Sequence, residues 1–399
     1  PLSMKICPEI APLVSDMVAL RRDIHKHPEM GFECFRTAGI VAETLRGLGY
    51  DVKEGVATSG VVAVLQGSAS GPCILLRADM DALPIQEEAT HEYRSEVPNC
   101  THACGHDGHV AMLLTAARVF AQPEFRARLH GVLKLVFQPA EEGKAGGRVM
   151  VEQGVLESPH VDEVYAAHLW NYSPVGVVGV KAGAVMAASD RFYTSIKARG
   201  GHGGVPQGTT DAIVAGAHYV TALQTIVARN VDPIQSACLT VGTFNAGYAP
   251  NVISDNADIT GTIRTFTPEV KATVRERLQA ISSGVAATYG VDINCEYREG
   301  YPATVNTPAE TEHVATAAAA WAEVRDPELC MTGEDFSFFL LQRPGCFFFV
   351  GSAPEGSHAH GPFGDSAIPH HVKEFDIHED ALSVGASVWV ALVERRLVH

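Results

Sequence analysis

The hydrophobic positions in the first half of the chain follow two periods, one typical of helices and one typical of buried strands. Residues 10–26 and 36–50 carry apolar side chains three and four positions apart, which predicts two amphipathic helices. The runs "GVVAVLQG", "CILLRADMD" and "GVLKLVFQ" are short, apolar and bounded by turn residues, so they predict buried strands. Helices spaced between apolar strands predict an α/β fold with a mostly parallel sheet.

The pattern changes near Ala187, where a different order of elements begins. Residues 187–300 read as strand, helix, strand, strand, helix and strand, which is the order of a ferredoxin-like (βαββαβ) unit. The chain then returns to a helical pattern in "AETEHVATAAAAWAEV" and to a strand in "CFFFVGSA". We therefore expect an inserted domain at 187–300, and a larger domain formed by residues 1–186 together with 301–399.

Composition and charge indicate which classes of molecule the protein can bind and in which compartment it resides. The 399 residues include 30 basic and 46 acidic side chains, so the formal net charge is −16. A surface of this sign repels nucleic acids and anionic membranes, and no run of 18 apolar residues predicts a membrane span. The nine cysteines are odd in number and scattered, which favours a reducing compartment. We expect a cytoplasmic protein with neither nucleic acid nor membrane as partner.

The stretch "THACGHDGHV", residues 101–110, concentrates cysteine and histidine around glycines. It is compatible with a metal site, with a redox site, or with a histidine-rich turn. Thiolate and imidazole are good ligands for zinc and related ions. Cys104 and His106 are two positions apart, so their side chains can point the same way, and Gly105 lets the backbone turn tightly between them.

Further candidate ligands follow or end other predicted strands. "FQPAEEG" places Glu141 and Glu142 after a strand, a pair suited to one metal ligand and one general base. "AAHLWN" places His168 at the end of another apolar strand. The C-terminal stretch "IPHHVKEFDIHED" adds His370, His371 and His378. The candidate ligands are then five, namely Cys104, His106, Glu142, His168 and one late histidine. Five ligands exceed a single tetrahedral shell, which favours two ions with a bridging water.

Each residue alone also has an ordinary explanation. A single histidine is most often a polar surface or core residue, a buried cysteine usually acts as a small apolar side chain, and paired acids usually lie on a solvated face. The combination of these residues at several strand ends is what favours the metal interpretation over the redox one.

Eight motifs occur in an order that resembles a known family. They are "RRDIHKHPEMGFE", "LLRADMDALPIQE", "HACGHDGHVAMLL", "FQPAEEGKAGG", "HLWN", "GGHGGVPQGTTDAI", "NVISDNADITGTIRTF" and "TGEDFSFF". Together they resemble the di-metal amidohydrolases that include hippurate hydrolase, auxin-conjugate hydrolases and N-acyl-amino-acid amidohydrolases, which belong with metallopeptidases of the aminoacylase type. The resemblance extends over most of the chain.

The resemblance implies a set of metal ligands and a general base. Its metal ligands would be Cys104, His106, Glu142, His168 and a late histidine, and Glu141 would be the general base and acid. Counting back from Phe375–Asp376 places the late ligand at His371, although His370 is adjacent and Val372–Lys373 departs from the family pattern. Asp81 resembles a carboxylate that orients a ligand histidine, and Asp79 is expected not to bind metal. His102 and His109 are expected to be structural or to support the ligands.

The resemblance also assigns roles in the inserted domain, which is similar to the family's lid and dimerisation domain. His202 would stabilise the oxyanion of the tetrahedral intermediate, and Asn251 and Arg264 would hold the substrate. A homodimer or homotetramer is implied by the same resemblance.

The implied reaction is metal-dependent hydrolysis of the amide bond of N-acyl amino acids, which releases a carboxylic acid and a free amino acid. Two divalent ions per chain are implied, Zn²⁺ or Mn²⁺, with Co²⁺ or Ni²⁺ also compatible with the ligands. A dipeptidase or carboxypeptidase with the same metals is the nearest alternative. A binding protein without catalysis is a further alternative, against which the glutamate pair argues.

Overall fold

A computed structural model of the chain describes residues 5–354 and 368–398. The strands are β1 Asp51–Val56, β2 Gly60–Gln66, β3 Ala69–Asp79, β4 His130–Gln138, β5 Glu163–Pro174, β6 Val177–Gly179, β7 Gly183–Met186, β8 Ala188–Lys197, β9 Gly201–His202, β10 Ala237–Ala246, β11 Val252–Ile253, β12 Asn256–Thr265, β13 Asp292–Tyr301, β14 Thr304–Asn306, β15 Glu323–Arg325 and β16 Gly345–Ala353. The helices are α1 Val14–Lys26, α2 Phe35–Gly47, α3 His106–Phe120, α4 Pro123–Arg126, α5 Glu141–Lys144, α6 Gly146–Glu152, α7 Ala212–Thr225, α8 Pro268–Tyr289, α9 Pro308–Ala318, α10 Ser337–Leu340 and α11 Asp380–Leu397.

The chain divides into two compact units. The described parts of Pro1–Val185, Thr304–Leu329 and Asp335–His399 form the first unit, and Met186–Ala303 with Cys330–Glu334 forms the second. The short segment Cys330–Glu334 thus belongs to the second unit, whereas the sequence pattern had placed it in the larger domain.

The first unit contains an eight-stranded sheet in the order β1-β2-β4-β3-β5-β16-β6-β15. Its central strands β4, β3, β5 and β16 are parallel to one another, and antiparallel pairs are confined to β1-β2, β2-β4 and β16-β6. The predicted α/β class with a mostly parallel sheet is confirmed. Parallel strands need both faces covered, which explains why β3 reads as a continuous apolar run.

Helices supply the cover for this sheet. Helix α3 is buried along nearly its whole length, and α1 and α11 pack against it. Helix α11 also packs against α9 and carries Trp389, whose buried ring makes an edge contact with Phe348 on β16. The C-terminal helix α11 was not among the elements predicted from the sequence.

The second unit contains a four-stranded antiparallel sheet in the order β10-β12-β8-β13. Helices α7 and α8 pack together, and their buried side chains form one core with Phe192, Ile196 and Ile259 of the sheet. The order of elements is β8-α7-β10-β12-α8-β13, the split pattern of a ferredoxin-like unit. The functions of lid and dimerisation domain stay predictions.

One local detail differs from the sequence prediction. His168 was expected to end its strand, but β5 continues to Pro174 because its outer part pairs with β16. None of the helices within the described residues is long and apolar enough to cross a membrane.

Candidate metal centre

The candidate ligands gather where the central parallel strands of the first unit end. Strand β3 ends at Asp79 and β4 at Gln138, so that Asp81 and the pair Glu141–Glu142 follow directly. On β5, Ala166 is the partner of Arg77, which places His168 level with the end of β3. Ligands of α/β sheets bind at this edge because the connections after parallel strands converge there.

A glycine turn presents the cysteine and the first histidine. Gly105 adopts a φ of +88°, a left-handed conformation that side chains other than glycine rarely take. Helix α3 begins at the next residue, so Cys104 lies just before the turn and His106 just after it. A Cβ on residue 105 would also lie 3.4 Å from the side chain of Leu169 on β5.

Backbone carbonyls orient both buried histidines of the cluster. His106 Nδ1 lies 2.8 Å from the carbonyl oxygen of Asp81, and His168 Nδ1 lies 2.6 Å from that of Leu169. A carbonyl only accepts, so each Nδ1 donates its proton to a carbonyl and Nε2 is the nitrogen left to bind an ion. His168 Nε2 lies 3.5 Å from the sulfur of Cys104. Outward-facing Nε2 lone pairs with anchored Nδ1 groups are the arrangement that metal-binding histidines use.

The carboxylate of Asp81 holds the glutamate pair. Its two oxygens accept hydrogen bonds from the backbone N–H groups of Glu141 at 2.9 Å and Glu142 at 3.0 Å. The preceding residue, Ala140, has a φ of +61°, so the chain turns sharply into the pair. His106 Nδ1 is 3.6 Å from this carboxylate, farther than from the carbonyl of the same residue. The side chain of Asp81 thus positions the glutamates, and its carbonyl orients the histidine.

The side chains offered as ligands come within reach of common ions. The donor atoms of Cys104, His106 and His168 lie within 4.8 Å of one another, and so do those of Cys104, Glu142 and His371. A third group joins His106 with Glu141 and Glu142. All five predicted ligands and the predicted base therefore lie together, and Cys104 belongs to the first two groups.

His370 and His371 occupy different environments. His371 Nε2 lies 3.3 Å from Glu142 Oε1, and the ring is half exposed. His370 Nε2 instead accepts the backbone N–H of Asn171 at 3.1 Å, and its ring packs against Trp170 and Phe375. With Nε2 occupied, His370 has no lone pair to offer. The geometry therefore favours His371 as the late ligand.

Electrostatics in the cluster depend on burial and on its acids. Burial raises the pKa of the Cys104 thiol well above its usual value, and Glu142, Glu141 and Asp79 raise it further. Burial alone would lower the pKa of His106, but Asp79, Asp81 and Glu142 outweigh it and raise that pKa to about 10. These groups hold protons that a cation would displace on binding.

The donor set fits a pair of divalent cations. His106 Nε2 and Glu142 Oε1 are buried and have no hydrogen-bond partner among the described residues. Buried polar atoms are normally paired, so atoms left without a partner and aimed at other donors indicate a bound ion. One thiolate, three imidazoles and a carboxylate suit zinc and its neighbours, and they exceed one tetrahedral shell.

Asp79 and His109 are held away from such a role by protein partners. His109 Nδ1 donates to Asp79 Oδ1 at 2.5 Å, while its Nε2 accepts the backbone N–H of Leu169 at 2.9 Å. Arg77 Nη1 donates to the other oxygen of Asp79 at 2.8 Å. Both ring nitrogens of His109 are occupied, so this histidine supports the strand that carries His168. His102 is buried, and burial lowers its pKa to about 3, so its ring is neutral.

The remaining predicted residues lie in the second unit. His202 is exposed on β9, and the pairing of β9 with β11 brings Asn251 beside it, where its carbonyl accepts the N–H of Gly203 at 2.8 Å. The ring Nδ1 of His202 accepts the N–H of Gly204 at 3.0 Å, which leaves Nε2–H free to donate. On β12, Arg264 has a buried Nη1 without a hydrogen-bond partner among the described residues.

Sequence reasoning missed a buried network behind the centre. Asp335, in the motif "TGEDFSFF", accepts hydrogen bonds from Arg77 at 2.9 Å, from Gln138 at 2.8 Å and from the backbone N–H of Gly147 at 2.7 Å. Its own N–H lies 3.4 Å from a carboxylate oxygen of Glu141. An arginine inside the apolar run "CILLRAD" and a glutamine inside "LKLVFQP" are the signals that could have revealed it.

Comparisons with known proteins identify relatives of this chain. The sequence pattern of the peptidase family M20/M25/M40 matches residues 75–395. A hippurate hydrolase of Campylobacter jejuni is 38% identical over 351 residues, which cover 87% of this chain and 91% of the relative. A thermostable carboxypeptidase of Saccharolobus solfataricus is 37% identical over 374 residues, covering 93% of this chain and 92% of the relative. The crystal structure of a dinuclear metal-binding peptidase of the M20 family from Bacillus subtilis superposes with a TM-score of 0.82 at 31% identity, covering 96% of this chain and 98% of that one.

Proposed function

The chain belongs to the peptidase family M20/M25/M40 and is a metal-dependent amidohydrolase, and from this membership and the geometry above we propose that it hydrolyses N-acyl amino acids. The scissile bond would be the amide between an acyl or aroyl group and an amino acid. The products would be a carboxylic acid and the free amino acid.

The observation that carries the proposal is the cluster of donor atoms around Cys104 with a further glutamate beside it. The proposed ligands of two divalent ions are Cys104, His106, Glu142, His168 and His371. Zn²⁺ or Mn²⁺ would suit this set, and Co²⁺ or Ni²⁺ would also be accepted. Ions bound there would polarise the amide carbonyl and make water acidic enough to serve as a nucleophile at neutral pH.

Glu141 is the proposed general base and acid. Its side chain is buried, its backbone N–H is held by Asp81, and its carboxylate lies near His106 and Glu142. It would remove a proton from the attacking water and deliver that proton to the nitrogen of the leaving amine. The N–H of Asp335 contacts one of its oxygens and helps to orient it.

Three residues of the second unit are proposed to act on the substrate. The free Nε2–H of His202 is suited to donate a hydrogen bond to the oxyanion that forms on the carbonyl. Burial and the neighbouring Arg191 lower the pKa of Arg264, so an incoming carboxylate would satisfy both its charge and its unpaired Nη1. Asn251 would assist in holding the substrate. The homo-oligomeric state and the cytoplasmic location predicted from the sequence stay proposals.

A carboxypeptidase activity is the second candidate. The relative from Saccharolobus solfataricus, named a thermostable carboxypeptidase, covers almost the whole chain. Both reactions would use the same metal ligands, the same base and an arginine for the terminal carboxylate. The two kinds of substrate differ only in the group on the acyl side of the scissile bond.

A substrate panel tests the proposal. The metal-free protein would be reconstituted separately with Zn²⁺, Mn²⁺, Co²⁺ and Ni²⁺ and assayed with hippurate, N-acetyl amino acids and dipeptides. We expect the highest kcat/KM with an N-acyl amino acid. Faster cleavage of the dipeptides under every metal would favour the carboxypeptidase instead, and no amide cleavage of either kind would refute both.

A further inference from the structure

Three other side chains with metal-binding chemistry meet beneath the loop that follows β3. His25 is buried on α1, and Glu87 and His91 lie four positions apart in the loop between β3 and α3. Their donor atoms all lie within 4.8 Å of one another. We call these three residues the loop cluster, and it shares no member with the proposed ligands of the two ions.

The distances inside the loop cluster match those around a single small cation. Glu87 Oε1 lies 3.3 Å from His25 Nε2 and 3.1 Å from His91 Nε2. Ligands about 2.1 Å from a tetrahedral zinc ion are separated from one another by about 3.4 Å. Both ring nitrogens of His91 are buried and lack a hydrogen bond to any described residue, so its short contact with Glu87 does not have hydrogen-bond geometry.

Other residues aim two of the donors at the common point. His25 Nδ1 lies 2.7 Å from Asp107 Oδ2 and donates to it, so Nε2, 3.3 Å from Glu87 Oε1, is the ring nitrogen that faces the common point. Glu87 Oε2 accepts hydrogen bonds from the N–H of Ser95 at 2.6 Å and from the hydroxyl of Thr101 at 3.1 Å. Oε1 is therefore the oxygen that remains for the two histidines. A carboxylate behind a histidine is a frequent support of metal ligands.

His91 supplies both the third donor and a way in from solvent. Its ring stacks on Tyr93 with the centroids 3.9 Å apart, and Tyr93 is tied by its hydroxyl to Asp376 at 2.8 Å. The side chain of His91 is 16% exposed, compared with 2% for Glu87 and 0% for His25. An ion could thus enter past His91 and reach the buried donors.

The charge of the loop cluster is suited to a bound cation. The buried guanidinium of Arg21 pairs with Asp107 at 2.8 Å, which balances that carboxylate. Glu87 is buried, and within the described residues its ion-pair partners are only His25 and His91. A cation bound between the two imidazoles would compensate the charge of Glu87 in the protein interior, where an unpaired charge is costly. We propose that His25, Glu87 and His91 bind one divalent ion of the zinc class, such as Zn²⁺, Co²⁺ or Ni²⁺, with an open coordination position.

Counting metal in matched variants tests the site. Holoenzyme would be incubated with excess Zn²⁺, desalted and analysed for zinc per chain by mass spectrometry. His91→Phe removes the donor but keeps a ring to stack on Tyr93, and His27→Phe, at a neighbouring partly exposed histidine, is the control. We expect the wild type and the control to hold one zinc ion per chain more than His91→Phe. Equal zinc content in all three proteins would overturn the proposal.

The comparison does not depend on the other ions. It measures a difference of one ion, whatever the number held by the cluster around Cys104, and it requires no substrate. Anomalous diffraction at the zinc edge from wild-type crystals grown with Zn²⁺ provides a second measurement. A peak between His25, Glu87 and His91 would support the site, and the absence of a peak there would overturn it even if His91→Phe failed to fold.

Discussion

Two groups of polar side chains lie side by side at the end of the central sheet of the first unit. They differ in how many of their polar atoms have hydrogen-bond partners within the protein. The first, which we call the arginine network, consists of Arg77, Asp79, His109, Gln138 and Asp335. Both oxygens of Asp79 and both ring nitrogens of His109 have partners within the protein. The second is the metal centre, where His106 Nε2 and Glu142 Oε1 have none among the described residues.

This difference separates Asp79 and His109 from Glu142 and His106, which residue type alone does not. Histidine and carboxylate occur in both groups, and each group contains fully buried histidine, such as His109 and His106. A buried charge is tolerated where partners compensate it, and an uncompensated donor is retained only where something else binds. The arginine network therefore supports the strands and the loop, whereas the metal centre is arranged for cations.

The largest expected effect concerns Glu141, which is neither a proposed ligand nor a member of the arginine network. Glu141→Gln keeps the size of the side chain but cannot accept the proton of water. We expect kcat to fall by a factor on the order of 10²–10⁴ with the ion content unchanged, measured by steady-state kinetics and metal analysis. Glu152→Gln, on an exposed ion pair of α6, is the matched control and should keep full activity. Substantial turnover by Glu141→Gln would disprove its role as base.

The next prediction compares one substitution in the arginine network with one in the metal centre. Asp79→Asn breaks a buried pair with Arg77, so we expect the free energy of unfolding of the metal-free protein to fall by about 3–5 kcal/mol, with ion binding retained. Glu142→Gln removes an unpaired oxygen, so we expect a change below about 1 kcal/mol and the loss of bound metal. Urea unfolding after chelation and metal analysis measure the two quantities. The distinction fails if both variants lose stability or both lose metal alike.

Two histidines three positions apart on α3 give a smaller contrast. His109→Gln leaves the N–H of Leu169 or a carboxylate oxygen of Asp79 without its partner, and we expect a loss of about 1–3 kcal/mol with metal retained. His106→Gln should instead reduce the number of ions per chain. Thermal unfolding and metal content would be compared for both variants, and a loss of metal in His109→Gln alone would reverse our assignment.

The smallest effect is expected at an ion pair away from both groups. Arg396 donates to both oxygens of Glu163, and the distance from its Nε is 2.9 Å. Burial raises the pKa of Glu163, but the hydrogen bonds from Arg396 and Tyr165 outweigh burial, so the pKa is lowered. A lowered pKa stabilises the folded state above the unfolded value of about 4.3, and this contribution is lost as pH falls from that value through the lower folded pKa. Glu163→Gln should cost about 1 kcal/mol at pH 7 and less at pH 3. A loss that is equal at both pH values would exclude the ion pair as its cause.

Much of the centre could be predicted from the sequence because its chemistry lies in residue types. Cys104, His106, Glu142 and His168 stand near the ends of apolar runs that also predict parallel strands. Since such strands bring their carboxyl ends to one edge, the residues were expected to converge, and they do. His371 was harder to predict because it lies far along the chain in a loop without periodicity.

Other features depend on contacts that no local pattern encodes. The choice between His370 and His371 is made by Asn171, which occupies the lone pair of His370. Asp81 was expected to orient a histidine, yet its carboxylate holds the glutamate pair and its carbonyl does the orienting. Arg77 and Asp335 are 258 positions apart, so their pairing depends on how the strands and loops pack.

The sequence by itself determined the α/β class, the split order of the second unit and the residues able to bind metal, because periodicity and residue chemistry are local properties. Only the tertiary structure decided which of those residues keep an unoccupied donor atom. Whether a donor atom has a partner depends on distances between segments remote in the chain. Such distances distinguish His106 from His109, and they bring His25 together with Glu87 and His91.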